Sequence, residues 1–434
     1  MEIAILGAGL AGLSAAFHLE QMGFDSYQIF EKNTRVGGLC RSETINGFTF
    51  DYAIHILYSS DEYATALIRN KLLVNNLRLQ IRRSYVYYRG VYTEYPFQAH
   101  LHGREPEVIK ECILGLVRSA YEKSRKPHNF EEWIHTTFGE GMAKHFMVPY
   151  NTKQWATDLK RMNYDWISSR VPIPSLEEVL DGALKPPIRK YGPNAYFWYP
   201  LRGGIGSLPE GFLPHVRNLR LNTEVKEIDP KKKKVVIGES KKEVRYDKLV
   251  LTLPICRLLD LVNDPPNEVG KAIQELQYNK VYAINLGINK KSISDKHWIY
   301  FPEKEFIFQR IDFPMNLSHY MVPRGKSSIT AEVSVSKHRP LDVEGERLVE
   351  RVIRDLARLG IIGEDEVVLR DLRVLDPAYV IYDLDHGKNV KIIHEYLKSN
   401  GIYPCGRFGE WEYLNMDHAI LSGKRVVEEI SRRD

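Results

Sequence analysis

The sequence opens with EIAILGAGLAG at residues 2–12, and this stretch decides the fold. The apolar residues 2–6 predict a short buried strand, and residues 13–22 predict a helix. Between the two, Gly7 allows a tight turn, Gly9 lets the backbone approach a pyrophosphate, and Gly12 lets the helix pack close to the strand. Leu10 and Ala11 lie at the start of the helix, whose free N–H groups attract an anion. The stretch therefore predicts a strand–turn–helix unit that binds a dinucleotide.

A second predicted strand, Tyr27–Phe30, ends at Glu31. An acid at this position, about 20 residues after the glycines, receives the ribose hydroxyls of a dinucleotide. The next residues carry amides and basic groups that could hold the far side of the pyrophosphate: Lys32, Gly37, Gly38, Leu39 and Arg41. Their spacing, E-x-x-x-x-x-G-G-x-x-x-S, resembles that of the amine-oxidase and protoporphyrinogen-oxidase class of FAD proteins. FAD is therefore the expected cofactor; the alternative is that the glycine pair forms an ordinary surface turn.

The composition is that of a globular chain, with 43% apolar and 27% charged residues among 434. At about 100 to 200 residues per domain, this length allows two or three domains. The net charge of +5 is spread along the chain. The one dense basic run, Lys231–Lys234, follows Asp229-Pro230 between two strand-like stretches and predicts a solvated hairpin turn. No nucleic-acid partner is expected, because such binding needs a basic stripe over a whole face.

The four cysteines are far apart and lack CxxC or CxxxH spacing, so neither a metal site nor a disulfide is expected. No stretch approaches the ~20 apolar residues of a transmembrane helix. The N-terminus lacks the basic segment and the cleavage site of a signal peptide. These features indicate a cytoplasmic protein without a transmembrane segment.

The apolar pattern predicts an α/β fold: a Rossmann-like, two-dinucleotide-binding FAD domain with a helical insertion and an antiparallel-sheet substrate domain. Helical spacing covers residues 104–123, residues 278–290 and 327–336 alternate as strands, and Val343–Leu359 predicts an amphipathic helix that covers their sheet. We divide the chain into FAD-binding parts at residues 1–95, 196–256 and 386–434, a mainly helical substrate domain at 96–195, and a sheet domain at 257–385.

Three further segments are expected to reach the bound FAD. A predicted strand at residues 219–225 ends at Val225, the expected backbone contact to adenine. His55 follows the predicted strand at residues 47–51 and would lie near the isoalloxazine ring, although a histidine in an apolar run is more often a hydrogen-bonded core residue. Near the C-terminus a second helix, at residues 419–430, would stabilise negative charge on the flavin through its N-terminus. The residues that lead into this helix are Gly406, Arg407, Asn415, Met416 and Asp417.

Aromatic residues accompany a lysine and an arginine between residues 148 and 172. Tyr150, Asn151, Lys153 and Trp155 come first, and Arg170 follows within a proline-punctuated stretch. Such a region suits a site that stacks a base and pairs with a phosphate. A packing surface between domains explains it equally well.

Several of these motifs resemble those of the UDP-galactopyranose mutases, especially their eukaryotic branch, across most of the chain. The pattern P-Y-N-x-K-x-W followed by an arginine is matched at residues 149–155 and by Arg170. The pattern W-x-Y-F-P followed by an arginine is matched at residues 298–302 and by Arg310. The patterns G-R-F/Y-G-x-W-x-Y and N-x-D-H are matched at residues 406–413 and 415–418.

The resemblance implies roles for the matching residues. Arg170 and Arg310 would grip the diphosphate of a sugar nucleotide, as guanidinium groups do best, and His55 would lie near flavin N5. These three form the implied catalytic set. The implied substrate-binding residues are Tyr150, Asn151, Trp155, Trp298, Tyr300, Tyr379, Tyr413 and Asn415.

The chain also departs from the family. Ala53-Ile54 stands where a glycine pair usually precedes the histidine, and Ser60 replaces a second histidine of that loop. Leu317 stands where a tyrosine is expected seven residues after Arg310. The first change bears on whether the loop can move when the flavin is reduced, since glycine tolerates such a change. The second bears on which sugar or nucleoside is bound.

The implied reaction is a pyranose/furanose isomerisation of a nucleoside diphosphate-sugar such as UDP-galactopyranose, through an adduct between the sugar and N5 of reduced FAD, without net redox change. It would serve polysaccharide biosynthesis, with NAD(P)H or another reductant as a partner. Two alternatives stay open. One is an FAD oxidoreductase that acts on an amine, a carotenoid-like or a porphyrin-like substrate in an apolar cavity. The other is a nucleotide-sugar-binding protein of the same fold without flavin chemistry. The sequence leaves the sugar, the nucleoside, the reductant and the oligomeric state open.

Overall fold

The computed structural model describes residues 1–122, 126–167, 170–186, 191–192 and 194–432. Its strands are β1 Ile3–Leu6, β2 Tyr27–Phe30, β3 Ser42–Ile45, β4 Phe48–Asp51, β5 Leu77–Ile81, β6 Ser84–Tyr88, β7 Val91–Glu94, β8 Tyr196–Pro200, β9 Leu219–Arg220, β10 Val225–Asp229, β11 Lys234–Ile237, β12 Lys242–Arg245, β13 Lys248–Leu251, β14 Gln277–Ile288, β15 Trp298–Tyr300, β16 Arg310–Asp312, β17 Ser327–Val335, β18 Val367–Ile381 and β19 Ile402–Pro404. Its α-helices are α1 Leu10–Gln21, α2 Glu62–Leu67, α3 Pro106–Tyr121, α4 Phe130–Met142, α5 Val148–Trp155, α6 Leu176–Leu184, α7 Ser207–Glu210, α8 Asn267–Glu275, α9 Pro314–Leu317, α10 Glu346–Arg358, α11 His386–Ser399, α12 Gly406–Gly409 and α13 Met416–Ser431.

A five-stranded parallel sheet forms the nucleotide-binding part, in the order β19-β13-β1-β2-β9. Strand β1 is buried along its whole length at the centre, and α1 follows it directly. A Cβ on Gly12 would lie 2.1 Å from the Gly7 carbonyl oxygen, so only glycine permits this packing. The helix α13 packs against α1 just as tightly, since a Cβ on Gly423 would lie 2.6 Å from the Ala11 oxygen. The predicted strand–turn–helix unit is confirmed.

A seven-stranded sheet forms the second layer, in the order β18-β14-β17-β16-β15-β6-β7. Its neighbours are antiparallel except for β15 and β6, which run parallel. The apolar residues of α10 are buried in the same hydrophobic cluster as residues of this sheet, as the amphipathic pattern predicted. The division at residue 95 placed β6 and β7 in the nucleotide-binding part. In the structure they form the edge of this sheet, where β6 pairs with β15 and β7 pairs with β6.

Helices α3–α6 form the predicted helical insertion, with α3 and α4 in close contact through glycines. Two local predictions differ from the structure. The strand predicted at residues 219–225 is interrupted and forms the separate strands β9 and β10. The predicted C-terminal helix starts three residues earlier, at Met416, because the extended backbone ends at Asn415. The basic run at residues 231–234 forms the expected turn between β10 and β11, with Lys234 already in the strand.

Candidate functional site

The turn after β1 and the loop after β2 make a narrow backbone cradle. Gly7 has a φ of 100°, which favours glycine, and the Gly37 N–H donates to the Ala8 carbonyl at 2.8 Å. A Cβ added to Gly38 would lie 3.4 Å from the Gly9 Cα, so two bare backbones face each other. Leu10, Ala11 and Gly12 form the first turn of α1, and no side chain caps its N-terminus. The cradle therefore leaves room and N–H groups for an elongated anion.

Glu31 lies at the end of β2, beside this cradle. One of its carboxylate oxygens accepts the Ala8 N–H at 2.9 Å, and the other accepts the Asn33 N–H at 2.9 Å. Its carbonyl accepts the Thr223 N–H at 2.8 Å, which brings Val225, at the start of β10, to the same end of the cradle. Lys32 is exposed to solvent. The structure thus gathers the glycines, Glu31 and Val225, and leaves Lys32 at the surface.

Arg41 and Leu39 lie on the other side of the glycine pair. The Arg41 Nε donates to the Gly38 carbonyl at 2.9 Å, and its guanidinium lies 4.6 Å from the centre of the Tyr52 ring. Leu39 packs against the cluster that contains Ala53. Arg41 therefore holds the glycine loop through its Nε and stacks on Tyr52.

The C-terminal segment closes the opposite end. The Gly406 N–H donates to the Ser422 hydroxyl at 2.7 Å, and a Cβ on Gly406 would meet Ala11, so the segment docks on α1. Arg407 donates to the Leu414 carbonyl at 2.6 Å and lies over the Tyr413 ring at 5.3 Å. It braces the loop that leads to Asn415, Met416 and Asp417. The predicted second helix N-terminus is in place, and no side-chain cap covers it.

His55 lies on a loop with a strained start. Ala53 has a φ of 62°, a left-handed conformation that favours glycine. The His55 Nδ1 donates to the Ala53 carbonyl at 3.1 Å, which leaves Nε2 as an acceptor. Burial, with smaller contributions from the charges of Arg407 and Arg310, lowers the pKa of His55 to about 4. The imidazole is therefore neutral near pH 7 and faces the two arginines.

Arg310 forms an ion pair with Glu332, which is fully buried on the neighbouring strand β17. Its Nη2 donates to both carboxylate oxygens, at 2.8 and 2.6 Å. The Ile54 N–H donates to the same carboxylate at 3.2 Å, so Glu332 joins Arg310 to the His55 loop. The Nε of Arg310 is buried and has no hydrogen-bond acceptor among the described residues.

Arg170 reaches the same region from the helical insertion. Its two terminal nitrogens donate to the carbonyls of Trp166 at 2.8 Å and Tyr413 at 2.7 Å. The guanidinium lies 5.2 Å from the centre of the Tyr413 ring. Its Nε is also buried, and within the described part of the chain nothing accepts its proton.

Aromatic rings connect the two arginines. Tyr379 and Tyr413 are 5.7 Å apart, Trp155 lies about equally far from both, and Tyr150 meets Tyr300 at 5.2 Å. Burial raises the pKa of Tyr150, Tyr300 and Tyr413 above that of a free tyrosine, so their hydroxyls are neutral donors. Trp155 is 3% exposed, and its Nε1 finds no acceptor among the described residues.

Some predicted residues lie differently. Asn151 donates back to the Met147 carbonyl of its own segment at 2.7 Å. Trp298 is 2% exposed and packs on Phe197 and His297. Lys153, read as a phosphate partner, instead places its ammonium among four backbone carbonyls. These three side chains are held by contacts within the protein, and the substrate-binding roles of Asn151 and Trp298 stay predictions.

Sequence reasoning missed three residues of this cluster. Tyr58 accepts a hydrogen bond from the Asn415 amide at 3.0 Å, and Tyr95 packs on Tyr300 at 4.9 Å. Glu332 is the third. Only the position of Tyr58, three residues after His55, could have drawn attention to it, since the other two are brought in from distant strands.

A family model described as flavin containing amine oxidoreductase matches residues 10–431. The chain belongs to this family. A crystal structure of reduced UDP-galactopyranose mutase is 30% identical, covers 100% of this chain and 94% of its own, and superposes with a TM-score of 0.94. Coproporphyrinogen III oxidase from Staphylococcus aureus (strain NCTC 8325 / PS 47) is 21% identical over 99% of this chain and 98% of its own. A putrescine oxidase bound to putrescine shares the fold, at 16% identity over 99% of each chain and a TM-score of 0.67.

These similarities make the protein a UDP-galactopyranose mutase-like flavoprotein of the amine oxidoreductase family, with FAD as its cofactor. The residues present fit that cofactor. A Cβ on Gly38 would stand in the cradle, 3.4 Å from the Gly9 Cα, and the N-termini of α1 and α13 carry no side-chain cap. Among the described residues no helix combines the length and the apolar character needed to cross a membrane.

Proposed function

We propose that this protein is a flavin-dependent pyranose/furanose mutase that acts on a nucleoside diphosphate-sugar. The observation that carries the proposal is a set of buried donors that find no acceptor among the described residues: Nε of Arg170, Nε of Arg310 and Nε1 of Trp155. A buried donor without a partner costs about 1 to 3 kcal/mol, so an acceptor-rich ligand is what the cluster lacks. A diphosphate offers many such oxygens.

The charge of the cluster favours the same ligand. Glu332 balances Arg310, while Arg170 and Arg407 lie among rings and backbone carbonyls. The tyrosines around them are neutral, and among the described residues neither Arg170 nor Arg407 forms a salt bridge, so both guanidinium groups are available to an anion. An anion held by fixed guanidinium groups in a buried site is bound more strongly than one at the surface.

In the proposed reaction, bound FAD in its reduced form supplies the nucleophile for the sugar. Arg170 and Arg310 would hold the diphosphate after it leaves, close enough to return. His55 is neutral, and its Nε2 has no hydrogen bond among the described residues, so it would accept a proton or hydrogen bond on the flavin side. NAD(P)H or another reductant would keep the cofactor reduced.

An FAD-dependent oxidoreductase is the second candidate, because the family and the Staphylococcus relative are named for oxidations. That activity on a porphyrin-like or carotenoid-like substrate calls for an apolar cavity. The guanidinium and indole donors of this cluster would then stay unpaired, which is the cost that disfavours the oxidoreductase.

Titration with UDP, GDP and dTDP tests the proposal. Each of Arg170→Ala and Arg310→Ala should weaken binding roughly tenfold to a hundredfold, because a hydrogen bond to a charged group contributes about 1.5 to 3 kcal/mol. FAD content should stay unchanged. Arg310→Ala leaves Glu332 buried and unpaired, so Arg310→Lys provides a folded variant that keeps the charge but loses the planar fork.

Arg217→Ala is the matched control, since Arg217 pairs with Glu20 at the surface. It should bind as the wild type does. If none of the three nucleotides binds the wild type, or if the Arg170 and Arg310 variants bind equally well, the diphosphate site does not exist.

A further inference from the structure

We propose that Tyr58 is a substrate-binding residue whose hydroxyl donates a hydrogen bond to the diphosphate beside Arg170; this rests on the proposed function. Tyr58 lies three residues after His55, on a loop that Leu57 fastens to β8 through two backbone hydrogen bonds with Trp198, at 3.0 and 2.7 Å. The loop therefore presents the Tyr58 ring from a fixed backbone.

The hydroxyl of Tyr58 is held on one side only. It accepts the Asn415 Nδ2 proton at 3.0 Å, while its own proton has no acceptor in the hydrogen bonds of the described residues. Asn415 lies at the start of α13, and its side chain serves Tyr58 instead of capping that helix. The pair Asn415–Tyr58 thus directs one donor, the tyrosine proton, into the cluster.

The hydroxyl of Tyr58 is a neutral donor near pH 7. Burial raises its pKa, the Asn415 hydrogen bond and the charge of Arg170 act against this rise, and the carboxylate of Asp417 adds to it. Tyr58 also packs against the aromatic core cluster, which excludes water from one side. A neutral hydroxyl donor beside a guanidinium adds a directed bond to a phosphate oxygen without adding charge.

Leu317, which stands where the family usually has a tyrosine, offers no such donor. It is 3% exposed and packs in the core, and its carbonyl accepts the Gln80 amide at 2.6 Å. Its side chain therefore supplies no hydroxyl, whereas Tyr58 does.

The experiment is UDP binding to the FAD-loaded protein, measured for the wild type, Tyr58→Phe and Tyr63→Phe. Tyr63 lies on the next helix, and its hydroxyl bonds His18 at 2.6 Å, so its variant also removes one hydrogen-bonded tyrosine hydroxyl. Tyr58→Phe should raise the UDP dissociation constant about tenfold, as for one bond to a charged group. Tyr63→Phe should change it less than twofold.

FAD content and the visible flavin spectrum are recorded on the same samples. Wild-type binding of UDP with an unchanged constant in Tyr58→Phe would overturn the role of Tyr58 and leave the mutase proposal standing. Weaker binding accompanied by loss of FAD would also overturn it, since Tyr58 would then act only through Asn415 and the cofactor. If the wild type binds no UDP, GDP or dTDP, the proposed function itself fails.

Discussion

Ala53 occupies a left-handed conformation, with a φ of 62°, two residues before His55. This conformation is unfavourable by about 1 to 3 kcal/mol for a residue with a Cβ. The loop therefore has a backbone conformation suited to glycine, although the residue is alanine. Leu39, Tyr52 and Ala283 pack around the Ala53 methyl group and hold this conformation in place. Packing thus keeps Ala53 in a conformation that a glycine would adopt without strain.

Replacing Ala53 by Gly should therefore cost little stability, because relief of strain offsets the lost methyl contact. Ala283→Gly is the control, since Ala283 is fully buried in the same cluster but lies in a regular strand. We expect its melting temperature to fall clearly, by an amount equivalent to about 1 kcal/mol or more. An Ala53→Gly variant that melts as low as Ala283→Gly would show that the loop carries no strain.

His297 is buried and neutral, and its Nδ1 accepts the Arg83 N–H at 3.1 Å. Burial lowers its pKa to about 3, with the charge of Arg83 as a lesser cause. The pKa of His297 in the folded protein lies below the ordinary value of 6.5. At pH values between these two, the unfolded chain therefore binds a proton at this histidine more readily than the folded protein does. His297 therefore contributes stability that is present above pH 6.5 and is lost as the pH falls towards 3.

We expect His297→Asn, which keeps an acceptor for Arg83, to lose less stability than the wild type between pH 6.5 and 4. The difference should be on the order of a few kcal/mol, at about 1.4 kcal/mol per pKa unit. Melting temperatures across this range measure it, with exposed His102→Asn as the control. Parallel pH profiles of wild type and His297→Asn would contradict the assignment.

At the scale of elements, Lys153 joins α5 to the loop between β15 and β16. Its ammonium lies 2.6 to 3.0 Å from the carbonyls of Phe301, Glu303, Phe306 and Phe308. This loop connects Tyr300 to Arg310, and α5 carries Tyr150 and Trp155. One side chain therefore sets the distance between the two walls of the candidate site.

Lys153→Met should loosen the loop, because four buried carbonyls lose their donor. We expect faster amide hydrogen exchange in residues 301–309 and weaker UDP binding, with FAD retained. Lys160→Met is the control, since Lys160 is mostly exposed and pairs with Glu131 at 3.8 Å. Unchanged exchange in residues 301–309 would mean that the loop is held by its aromatic packing instead.

The elements themselves could largely be predicted, because their signals are local. Gly7, Gly9 and Gly12 mark a turn that any such strand–helix unit needs, and the stripe of α10 repeats with helical spacing. The interruption between β9 and β10, and the pairing of β6 with β15, depend on contacts between distant segments. No local sequence pattern predicts the interruption or the pairing.

For the whole molecule, the sequence was sufficient for the α/β architecture and the FAD cofactor, while the diphosphate-binding role of Arg170 and Arg310 stays a prediction. The carbonyl partners of Lys153 and the carboxylate partner of Arg310 could not be predicted. The identity of a lysine or an arginine in the sequence does not show whether it binds a phosphate or another group of the protein. The role of Tyr58 could not be predicted for a similar reason, because its hydrogen bond to Asn415 forms only when the fold brings the start of α13 beside it.

The most direct test is to incubate the protein, reduced with dithionite without oxygen, with UDP-galactopyranose and to separate the products. We expect UDP-galactofuranose to form over many turnovers, while the flavin stays reduced and no reductant is consumed in proportion to product. Arg170→Ala should abolish most of this conversion. If no UDP-hexose isomerises, and a porphyrinogen or an amine instead drives stoichiometric oxygen consumption by the oxidised protein, the mutase assignment is wrong.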